Sequence, residues 1–417
     1  MKADVLVLGA GVVGTAVALH LQMRGRQAVL LDRRGAAGRE ASFGNAGLIQ
    51  REAAYPYAFP RQLAALLRYA ANRQTDAHYH ARALPALAPF LARYWHHSHP
   101  ARHVRAARAY AGLIGQCLPE TRRLAEQADA AALLRPTGWL KLFRTARQQD
   151  AELRQAAELA REFGVASVPL DSAGLRLLEP DLDPDLAGAL HYTDPLAVTD
   201  PGRLVDSWRT ALERLGGRFL TGNGRTLRPA AAGWSVDTRD GPVQAPAAVV
   251  AMGAWSGEVV DPLGYRLPLG IKRGYHMHYE LASGVTLGRP VLDAAHGYVL
   301  APMARGIRLT TGAEFARPGA RRTPVQLERA EPVARALFPL GARIDPEPWM
   351  GLRPCMPDML PVIGPAPRHP GLWFAFGHGH QGLTLAAVTG RMIADMICGE
   401  APFVDAAPFR ADRPSLA

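Results

Sequence analysis

Three glycines and one acid near the start of the chain have types and spacing suited to chemistry. Gly9, Gly11 and Gly14 are spaced as GxGxxG, and Asp32 follows about twenty positions later. In such a pattern the first glycine allows a tight turn, the second lets the backbone approach a pyrophosphate, and the third lets a helix pack closely on a strand. An acid at that distance accepts hydrogen bonds from ribose hydroxyls. The spacing predicts a dinucleotide site, without choosing between FAD and NAD.

A strand, a helix and a second strand must hold these residues in place. The apolar run at residues 3–8 is typical of a buried strand that ends at Gly9. Val17 and Leu21 share one face of a helix, and residues 27–31 are typical of a second strand. The chain therefore begins with a βαβ unit whose helix N-terminus faces the phosphates.

Two later segments repeat the pattern of an apolar strand that ends at a glycine. Residues 247–252 form a continuous apolar run before Gly253, as expected for a strand inside a covered sheet. Residues 372–376 end in a glycine- and histidine-rich turn, 377–384, that enters a helix. Because ligands bind at the carboxyl edge of such sheets, both turns are candidates for the same site.

Four histidines in an alanine- and arginine-rich region raise the question of a metal site. Residues 60–134 have helical spacing with several prolines, and His99 and His103 stand one helical turn apart. No carboxylate or thiolate lies within a turn of them, and the neighbouring arginines repel cations. Together with His96 and His97 they are better explained as a solvated helix face, so we expect no metal.

Composition limits the class of protein further. With 417 residues, 48% of them hydrophobic and 20% charged, the chain is long enough for two domains of an ordinary globular protein. The net charge of +11 comes from scattered arginines, which indicates compositional bias more than a nucleic-acid surface but is compatible with weak attraction to anionic lipid. Cys117, Cys355 and Cys398 lack metal-binding spacing, which favours reduced thiols and a cytoplasmic protein. No apolar run is long enough to predict a transmembrane helix.

The middle of the chain differs in pattern from its two ends. Asp200 and Pro201 mark the start of a helix with a buried stripe, and a run of strands follows from residue 218. Residues 262–349 then show alternation typical of antiparallel strands, which indicates a separate lobe.

Five segments, in this order, resemble one family of flavoproteins. They are residues 9–32, 42–47, 249–256, 351–364 and 377–384. The sequence resembles the family that contains D-amino acid dehydrogenase, glycine oxidase and sarcosine oxidase. The loop 42–47 and the strand 142–145 are most similar to its D-amino acid dehydrogenase branch.

The resemblance implies an α/β composite fold, in which a Rossmann-like FAD-binding domain accompanies a discontinuous antiparallel-sheet substrate domain. The expected FAD-binding domain comprises residues 1–50, 200–261 and 350–400. The expected substrate domain comprises residues 51–199 and 262–349, and residues 401–417 form a C-terminal tail.

The resemblance also implies which residues hold a non-covalent FAD. They are Gly9, Gly11, Val12, Val13, Gly14, Asp32, Arg33, Ser42, Asn45, Ala46, Gly47, Gly253, Trp255, Gly379, Gly382, Leu383 and Thr384. In sarcosine oxidases a cysteine tethers the flavin, but Cys355 does not fall at that position, so no tether is expected. The amides around Gly382 at a helix N-terminus are suited to negative charge on the reduced flavin.

Arg353 matches the family residue that pairs with the substrate carboxylate. A guanidinium gives planar, bidentate recognition of a carboxylate, which a lysine does not. Tyr275, Tyr298 and His380 are further candidates for the substrate pocket. The implied reaction is oxidative deamination of a D-amino acid, with hydride transfer from Cα to flavin N5 and electrons passed to a quinone-type acceptor, so a peripheral membrane contact is compatible with it.

Several alternatives stay open at this point. The substrate could instead be a cyclic imino acid such as D-proline or 4-hydroxy-D-proline, or glycine or sarcosine, and His380 departs from the best-known D-amino acid dehydrogenases. A relative of this domain takes part in tRNA modification, but no stretch here interleaves basic and aromatic residues, and we expect no nucleic-acid partner. A third reading is a flavin-carrying subunit that is inactive alone.

Overall fold

Two large β-sheets divide the molecule into two lobes. The computed structural model describes residues 3–416. An eight-stranded sheet forms the first lobe and an eleven-stranded sheet the second, and a small three-stranded sheet lies beside them.

The strands of the described residues are, in chain order, β1 (Val5–Leu8), β2 (Ala28–Asp32), β3 (Leu48–Ile49), β4 (Ala77–Tyr79), β5 (Leu134–Arg135), β6 (Trp139–Phe143), β7 (Ser167–Asp171), β8 (Gly188–Tyr192), β9 (Leu196–Val198), β10 (Arg218–Ala230), β11 (Gly233–Thr238), β12 (Gly241–Ala245), β13 (Ala247–Val250), β14 (Gly270–Leu281), β15 (Val291–Asp293), β16 (Tyr298–Met303), β17 (Gly306–Thr310), β18 (Ala313–Phe315), β19 (Leu340–Arg343), β20 (Trp349–Cys355), β21 (Val362–Pro365) and β22 (Leu372–Phe376). The α-helices are α1 (Val12–Met23), α2 (Leu63–Ala70), α3 (Leu84–His97), α4 (Pro100–Gly115), α5 (Cys117–Gln127), α6 (Ala146–Phe163), α7 (Ser172–Leu178), α8 (Pro201–Arg214), α9 (Gly257–Val260), α10 (Val325–Leu337) and α11 (Gly382–Ile397).

The sheet of the first lobe has the strand order β12-β11-β10-β2-β1-β13-β22-β21. Its central pairs, from β10 through β2, β1 and β13 to β22, are parallel. The strands β1 and β13 are wholly apolar and, apart from the partly exposed Ala247, buried, as a covered parallel sheet requires. Parallel strands end at one edge, so the turns after β1, β13 and β22 lie together, as the sequence predicts.

Helices cover one face of this sheet in close contact. At Gly390 of α11, an added Cβ would lie 2.7 Å from the backbone of Ala16 in α1, so only a glycine allows these two helices to approach so closely. The start of α8 also follows the sequence prediction, because the Asp200 carboxylate accepts a hydrogen bond from the amide of Arg203 at 2.9 Å.

The second lobe is built around the long strand β14. It pairs antiparallel with β17, β18, β19 and β20, and the sheet continues through β16, β15 and β6 to β8 and β7. Successive residues of β14 point to opposite faces. Arg273, Tyr275 and Met277 face one side, and Lys272 and Gly274 face the other, next to the first lobe.

Three parts of the predicted domain division need correction. The strand β20, expected in the FAD-binding domain, pairs with β14 in the second lobe. The helices α4 and α5, expected in the substrate domain, pack on the first lobe through Leu113, Ile114 and Leu124. Helical spacing identifies a helix and its apolar face, but it does not say which sheet that face covers.

The third correction concerns residues 401–417, predicted to form a tail. Phe409 is buried in the core that covers the first sheet, and Ala411 and Leu416 are buried on the sheet's other side. Arg413 is buried with Asp358, at 2.7 Å. The segment is therefore part of the folded lobe through residue 416. No helix among residues 3–416 has the length and apolar character needed to cross a bilayer.

Candidate active site

A cavity of about 1100 Å³ lies between the two lobes. It extends from the turns after β1, β2 and β13 to the face of β14 that carries Lys272 and Gly274. The predicted FAD residues that border it are Gly9, Gly11, Val12, Val13, Asp32, Arg33, Ser42, Asn45, Ala46, Gly253, Trp255, Gly379, Gly382 and Leu383. The structure thus brings the separate sequence segments to one cavity.

Three predicted FAD residues do not border the cavity but support it. An added Cβ at Gly14 would lie 1.9 Å from the carbonyl oxygen of Gly9, so Gly14 is needed for close helix–strand packing. Gly47 has φ +74° and would clash with Val198. The Thr384 hydroxyl accepts from the amide of Gln50 at 3.2 Å and donates to the carbonyl of Leu48 at 3.3 Å, which joins α11 to β3.

The turn between β1 and α1 has the geometry of a dinucleotide cradle. Gly9 has φ +98°, and a Cβ there would lie 2.6 Å from the carbonyl oxygen of Ala251. The backbone can turn here only because no side chain is present. Gly11 is the N-cap of α1 and borders the cavity, so the helix begins where the backbone is open to a ligand.

Polar groups around this turn are held in fixed orientations. The Ser42 hydroxyl accepts from the amide of Val12 at 2.9 Å. The Asp32 carboxylate accepts from the amides of Ala10 and Arg34, both at 2.9 Å. Each carboxylate oxygen keeps a further lone pair, so Asp32 stays able to accept from ribose hydroxyls. At the rim, the Arg33 guanidinium lies 4.4 Å from the ring centre of Trp255.

These residues fit FAD. Glycines whose Cβ atoms would collide with backbone form the turn, the N-terminus of α1 supplies partial positive charge, and a fixed carboxylate follows β2. The cavity also continues past Gly253 and Gly382 toward the second lobe, so residues of both lobes line it.

Arg353 lies on β20, at the second-lobe end of the cavity. Its two terminal nitrogens donate to the carbonyls of Gly312, at 2.7 Å, and Thr311, at 3.1 Å. Burial lowers its pKa below the ordinary arginine value, and no carboxylate of the described residues faces it. A guanidinium has five N–H donors, so Arg353 keeps donors for an anion in the cavity.

The position of the Arg353 guanidinium depends on Gly274. A Cβ at Gly274 would lie 2.3 Å from one terminal nitrogen of Arg353 and 2.5 Å from its Cζ. The guanidinium therefore lies across the space that Gly274 leaves open. Gly274 is two residues along β14 from Lys272, the residue with which Arg353 is paired.

Lys272 is a second cation at the same end of the cavity, and the sequence reasoning missed it. It is only 5% exposed and borders the cavity. Its ammonium lies 4.1 Å from the ring centre of Tyr94, a cation–π distance. Burial opposes its charge, but the Tyr94 hydroxyl and the Cys355 thiol raise its pKa above the ordinary value. One signal was available, since Lys272 is one of three lysines in an arginine-rich chain.

His380 faces both cations from the turn before α11. Burial, together with the charges of Arg353 and Lys272, lowers its pKa well below the ordinary value. Its ring lies 5.1 Å from that of Tyr57, another cavity residue that the sequence did not reveal. His380 is therefore neutral at ordinary pH and can accept or donate a hydrogen bond without adding charge.

The two predicted tyrosines do not present their hydroxyls to the cavity. Tyr275 borders it, but its hydroxyl lies on the other face of β14, where it donates to Glu314 at 2.9 Å. Tyr298 is fully buried in the core of the second lobe and does not border the cavity. The alternation of a strand shows which residues share a face, but the sequence alone does not say which of the two faces borders the cavity.

A buried arginine from the second lobe holds the loop that carries Ser42. Arg308 on β17 donates to the carbonyls of Phe43, at 3.1 Å, and Asn45. It also donates to Nε2 of His278, at 3.0 Å. Burial lowers the pKa of Arg308 to about 10, so it stays charged at neutral pH. Nothing in the sequence indicated this contact between the lobes.

Two groups of histidines and carboxylates have spacing that could suit a metal ion. They are His78, His80 and Glu314, and His276, His278 and Asp345. Each lies beside an arginine, since Arg273 is 2.8 Å from Glu314 and Arg308 is bonded to His278. The four histidines considered from sequence lie elsewhere, at the junction of α3 and α4.

A buried acid lies behind the wall of the cavity. Burial raises the pKa of Glu52 to about 7, while hydrogen bonds from Gln50 and Trp139 partly oppose the shift. Gln50 and Trp139 border the cavity, and Gln50 accepts from Gln381 at 2.9 Å. Glu52 thus lies in a polar chain that joins the two lobes.

The fold and site define a two-lobed dinucleotide-binding oxidoreductase. A model of the family described as FAD dependent oxidoreductase (DAO) matches residues 4–396. The chain belongs to this family and is an FAD-dependent oxidoreductase.

Known proteins of similar sequence and structure agree with this assignment. The D-amino acid dehydrogenase of Cereibacter sphaeroides is 32% identical, with 98% of this chain and 95% of the relative covered. The D-amino-acid oxidase of Bradyrhizobium diazoefficiens is 30% identical, with 98% of both chains covered. Glycine oxidase from Geobacillus kaustophilus, a solved structure, has a TM-score of 0.74 over 99% of both chains at 23% identity, which shows the shared fold.

Proposed function

We propose that this enzyme oxidises D-amino acids to the corresponding 2-oxo acids and ammonia. In the balanced reaction, the amino acid loses two electrons and two protons, water adds to the resulting imine, and ammonia leaves. FAD, when bound, supplies the two-electron acceptor. The observation that carries the proposal is Arg353, an arginine at the cavity whose guanidinium faces no carboxylate of the described residues.

The chain's own residues orient the substrate. Arg353 binds the carboxylate through the donors that its two carbonyl contacts leave free. His380, held neutral by burial and by the two cations, leaves the site positively charged overall, which favours an anionic substrate. The names of the two curated relatives support the D-enantiomer, and the sequence similarity extends over nearly the full length of each.

The test is anaerobic reduction of the bound flavin, followed by absorbance. D-alanine, D-proline and 4-hydroxy-D-proline, the L-counterparts of these three, glycine and sarcosine are added separately to the purified holoenzyme. We expect bleaching by D-amino acids and none by L-amino acids. Faster bleaching by the cyclic D-imino acids or by glycine and sarcosine would replace the proposed substrate class, and no bleaching by any amine would refute the function.

We further propose that electrons pass to a quinone-type acceptor at a membrane surface. The helix α2 supports this, because none of its residues is buried and Leu63 and Leu67 are 72% and 64% exposed. Leu66 and Tyr69 of the same helix border the cavity. Arg68, on the helix, and Arg73, just after it, are exposed. An apolar helix face with flanking arginines is suited to an anionic bilayer.

Cosedimentation with vesicles tests this contact. We expect the holoenzyme to sediment with phosphatidylglycerol vesicles more than with phosphatidylcholine vesicles, and the double variant Leu63→Glu, Leu67→Glu to lose most of that binding. Leu177→Glu is the matched control, because Leu177 is 89% exposed on α7, on the second lobe. Equal sedimentation of the double variant and the wild type would contradict the proposal.

A further inference from the structure

Besides Arg353, the second-lobe end of the cavity holds a second cation without an acid partner, Lys272. Lys272 and Arg353 are directly paired on β14 and β20, so their side chains leave the same face of the sheet about 5 Å apart. Both border the cavity, and no carboxylate of the described residues faces either of them. Lys141, which also borders the cavity, differs in this respect, because Glu152 lies 2.6 Å from its ammonium.

The two charged groups diverge along β14. The Arg353 guanidinium leans toward Gly274 and donates to the carbonyls of Gly312 and Thr311. The carbonyl of Thr311 lies near the level of Tyr275, whose carbonyl accepts from the Thr311 amide at 2.9 Å. The guanidinium is therefore displaced toward the Tyr275 end of the strand.

The Lys272 ammonium is displaced toward the other end. It lies 4.1 Å from the ring centre of Tyr94 and 5.7 Å from that of Phe315. Tyr94 packs against Phe90, and the Phe90 ring occupies the space beside Gly270, at the start of β14. The guanidinium and the ammonium start side by side and point apart. They are therefore better suited to two separate anionic groups than to a single carboxylate, which would have to reach both.

We propose that the preferred substrates are D-amino acids with a second carboxylate, the class of D-aspartate and D-glutamate. Arg353 binds the α-carboxylate, and Lys272 binds the side-chain carboxylate. This specificity rests on the function proposed above. Lys272 has an aromatic neighbour but no acid partner, so a substrate carboxylate supplies the charge that the protein lacks there.

The first experiment compares ligands that differ only in charge. Apparent Kd values for anaerobic flavin reduction are measured with D-glutamate and D-glutamine, and separately with D-aspartate and D-asparagine. We expect the wild type to bind at least one acid ten or more times more tightly than its amide. Equal Kd values within both pairs would overturn the proposal.

Two variants connect the preference to Lys272. Lys272→Met should reduce the preference of acid over amide to about one, and Lys272→Arg should retain part of it. Lys141→Met, the matched control at the same cavity, should retain the full preference because Glu152 already neutralises Lys141. An equal loss for D-glutamate and D-glutamine in Lys272→Met would overturn the proposal, since it would mean that both cations hold one carboxylate.

A binding measurement separates this inference from the proposed function. Calorimetry with glutarate and pentanoate on the oxidised holoenzyme needs no turnover. Tighter binding of glutarate that depends on Lys272, without flavin reduction by any D-amino acid, would support the dicarboxylate site and refute the oxidation. Flavin reduction by D-alanine without a preference for glutarate or for the acidic amino acids would do the reverse.

Discussion

At the scale of single residues, the Arg353 guanidinium occupies space that is free only because residue 274 is a glycine. Gly274→Ala would add a Cβ 2.3 Å from a terminal nitrogen of Arg353. Because this nitrogen is at the flexible end of the arginine side chain, the guanidinium would move away and the fold would stay intact. We expect the apparent Kd of the best amino acid substrate to rise about tenfold or more. Anaerobic titration of the flavin measures this change.

The control for this variant is Gly115→Ala. Gly115 ends α4, and an added Cβ there would have nothing within 4 Å. Thermal unfolding should give both variants a Tm close to that of the wild type. An unchanged Kd in Gly274→Ala would show that the guanidinium position does not govern binding.

Glu52 makes the stability of the holoenzyme depend on pH. Its pKa is about 7 in the folded protein and near 4.5 when unperturbed. The stability linked to its proton is fully present below pH 4.5 and is lost as pH rises through 7, because the folded state must then bury a carboxylate. The loss is up to about 3 kcal/mol for this shift. Glu52→Gln should remove it.

Urea unfolding at pH 5 and pH 8 tests this prediction. Wild type should lose more free energy of unfolding between the two values than Glu52→Gln, and the variant should be the more stable protein at pH 8. A difference between pH 5 and pH 8 that is the same for both proteins would contradict the assigned pKa.

At the scale of elements, the strand β17 and the loop 42–47 depend on Arg308. Arg308→Met would leave the carbonyls of Phe43 and Asn45 without their buried donor, so the loop that places Ser42 beside α1 would loosen. We expect the Kd of FAD to rise about tenfold, which corresponds to the loss of about one such hydrogen bond to a charged group.

Flavin release by dilution, followed by fluorescence, measures that Kd. Arg305→Met is the control, because Arg305 lies in the same hairpin but is half exposed and pairs with Asp345. Equal FAD affinity in Arg308→Met and Arg305→Met would show that the loop does not need the second lobe.

The elements also mark what the sequence could and could not predict. The βαβ unit, α8 with its Asp200 cap and the strands β13 and β22 follow from local periodicity and turn residues, which are properties of neighbouring positions. The pairing of β20 with β14 and the packing of α4 on the first lobe join distant parts of the chain, and periodicity carries no information about them.

The same distinction holds for the candidate site. Gly9, Gly11 and Asp32 could be predicted because their spacing reflects one local βαβ unit. Lys272 and Arg308 could not, because their importance arises from partners on other strands and loops. Tyr298 is the opposite case: it was predicted to line the substrate pocket because of its residue type, but it is buried in the core of the second lobe.

At the scale of the whole molecule, residues 401–416 complete the packing of the first lobe. Arg413 is buried against Asp358 and also donates to the carbonyls of Leu360 and Pro361. Arg413→Met should lower the free energy of unfolding by about 3 kcal/mol, because it leaves a buried carboxylate unpaired. Arg410→Met, which breaks an exposed pair with Asp412, should lower it by less than about 1 kcal/mol. Urea unfolding compares the two, and similar losses would contradict a structural role for the C-terminus.

The order of strands in the first sheet determines when the lobe can fold during synthesis. The strand β1 leaves the ribosome long before its neighbour β13, which begins at Ala247, and before β22, which begins at Leu372. The helix α1 likewise has to wait for α11, which ends at Ile397. The nascent chain therefore exposes the apolar centre of its dinucleotide lobe until residues 372–397 have been synthesised. A chain that stops before Leu372 leaves that surface uncovered, so truncated products are expected to aggregate or to require chaperones.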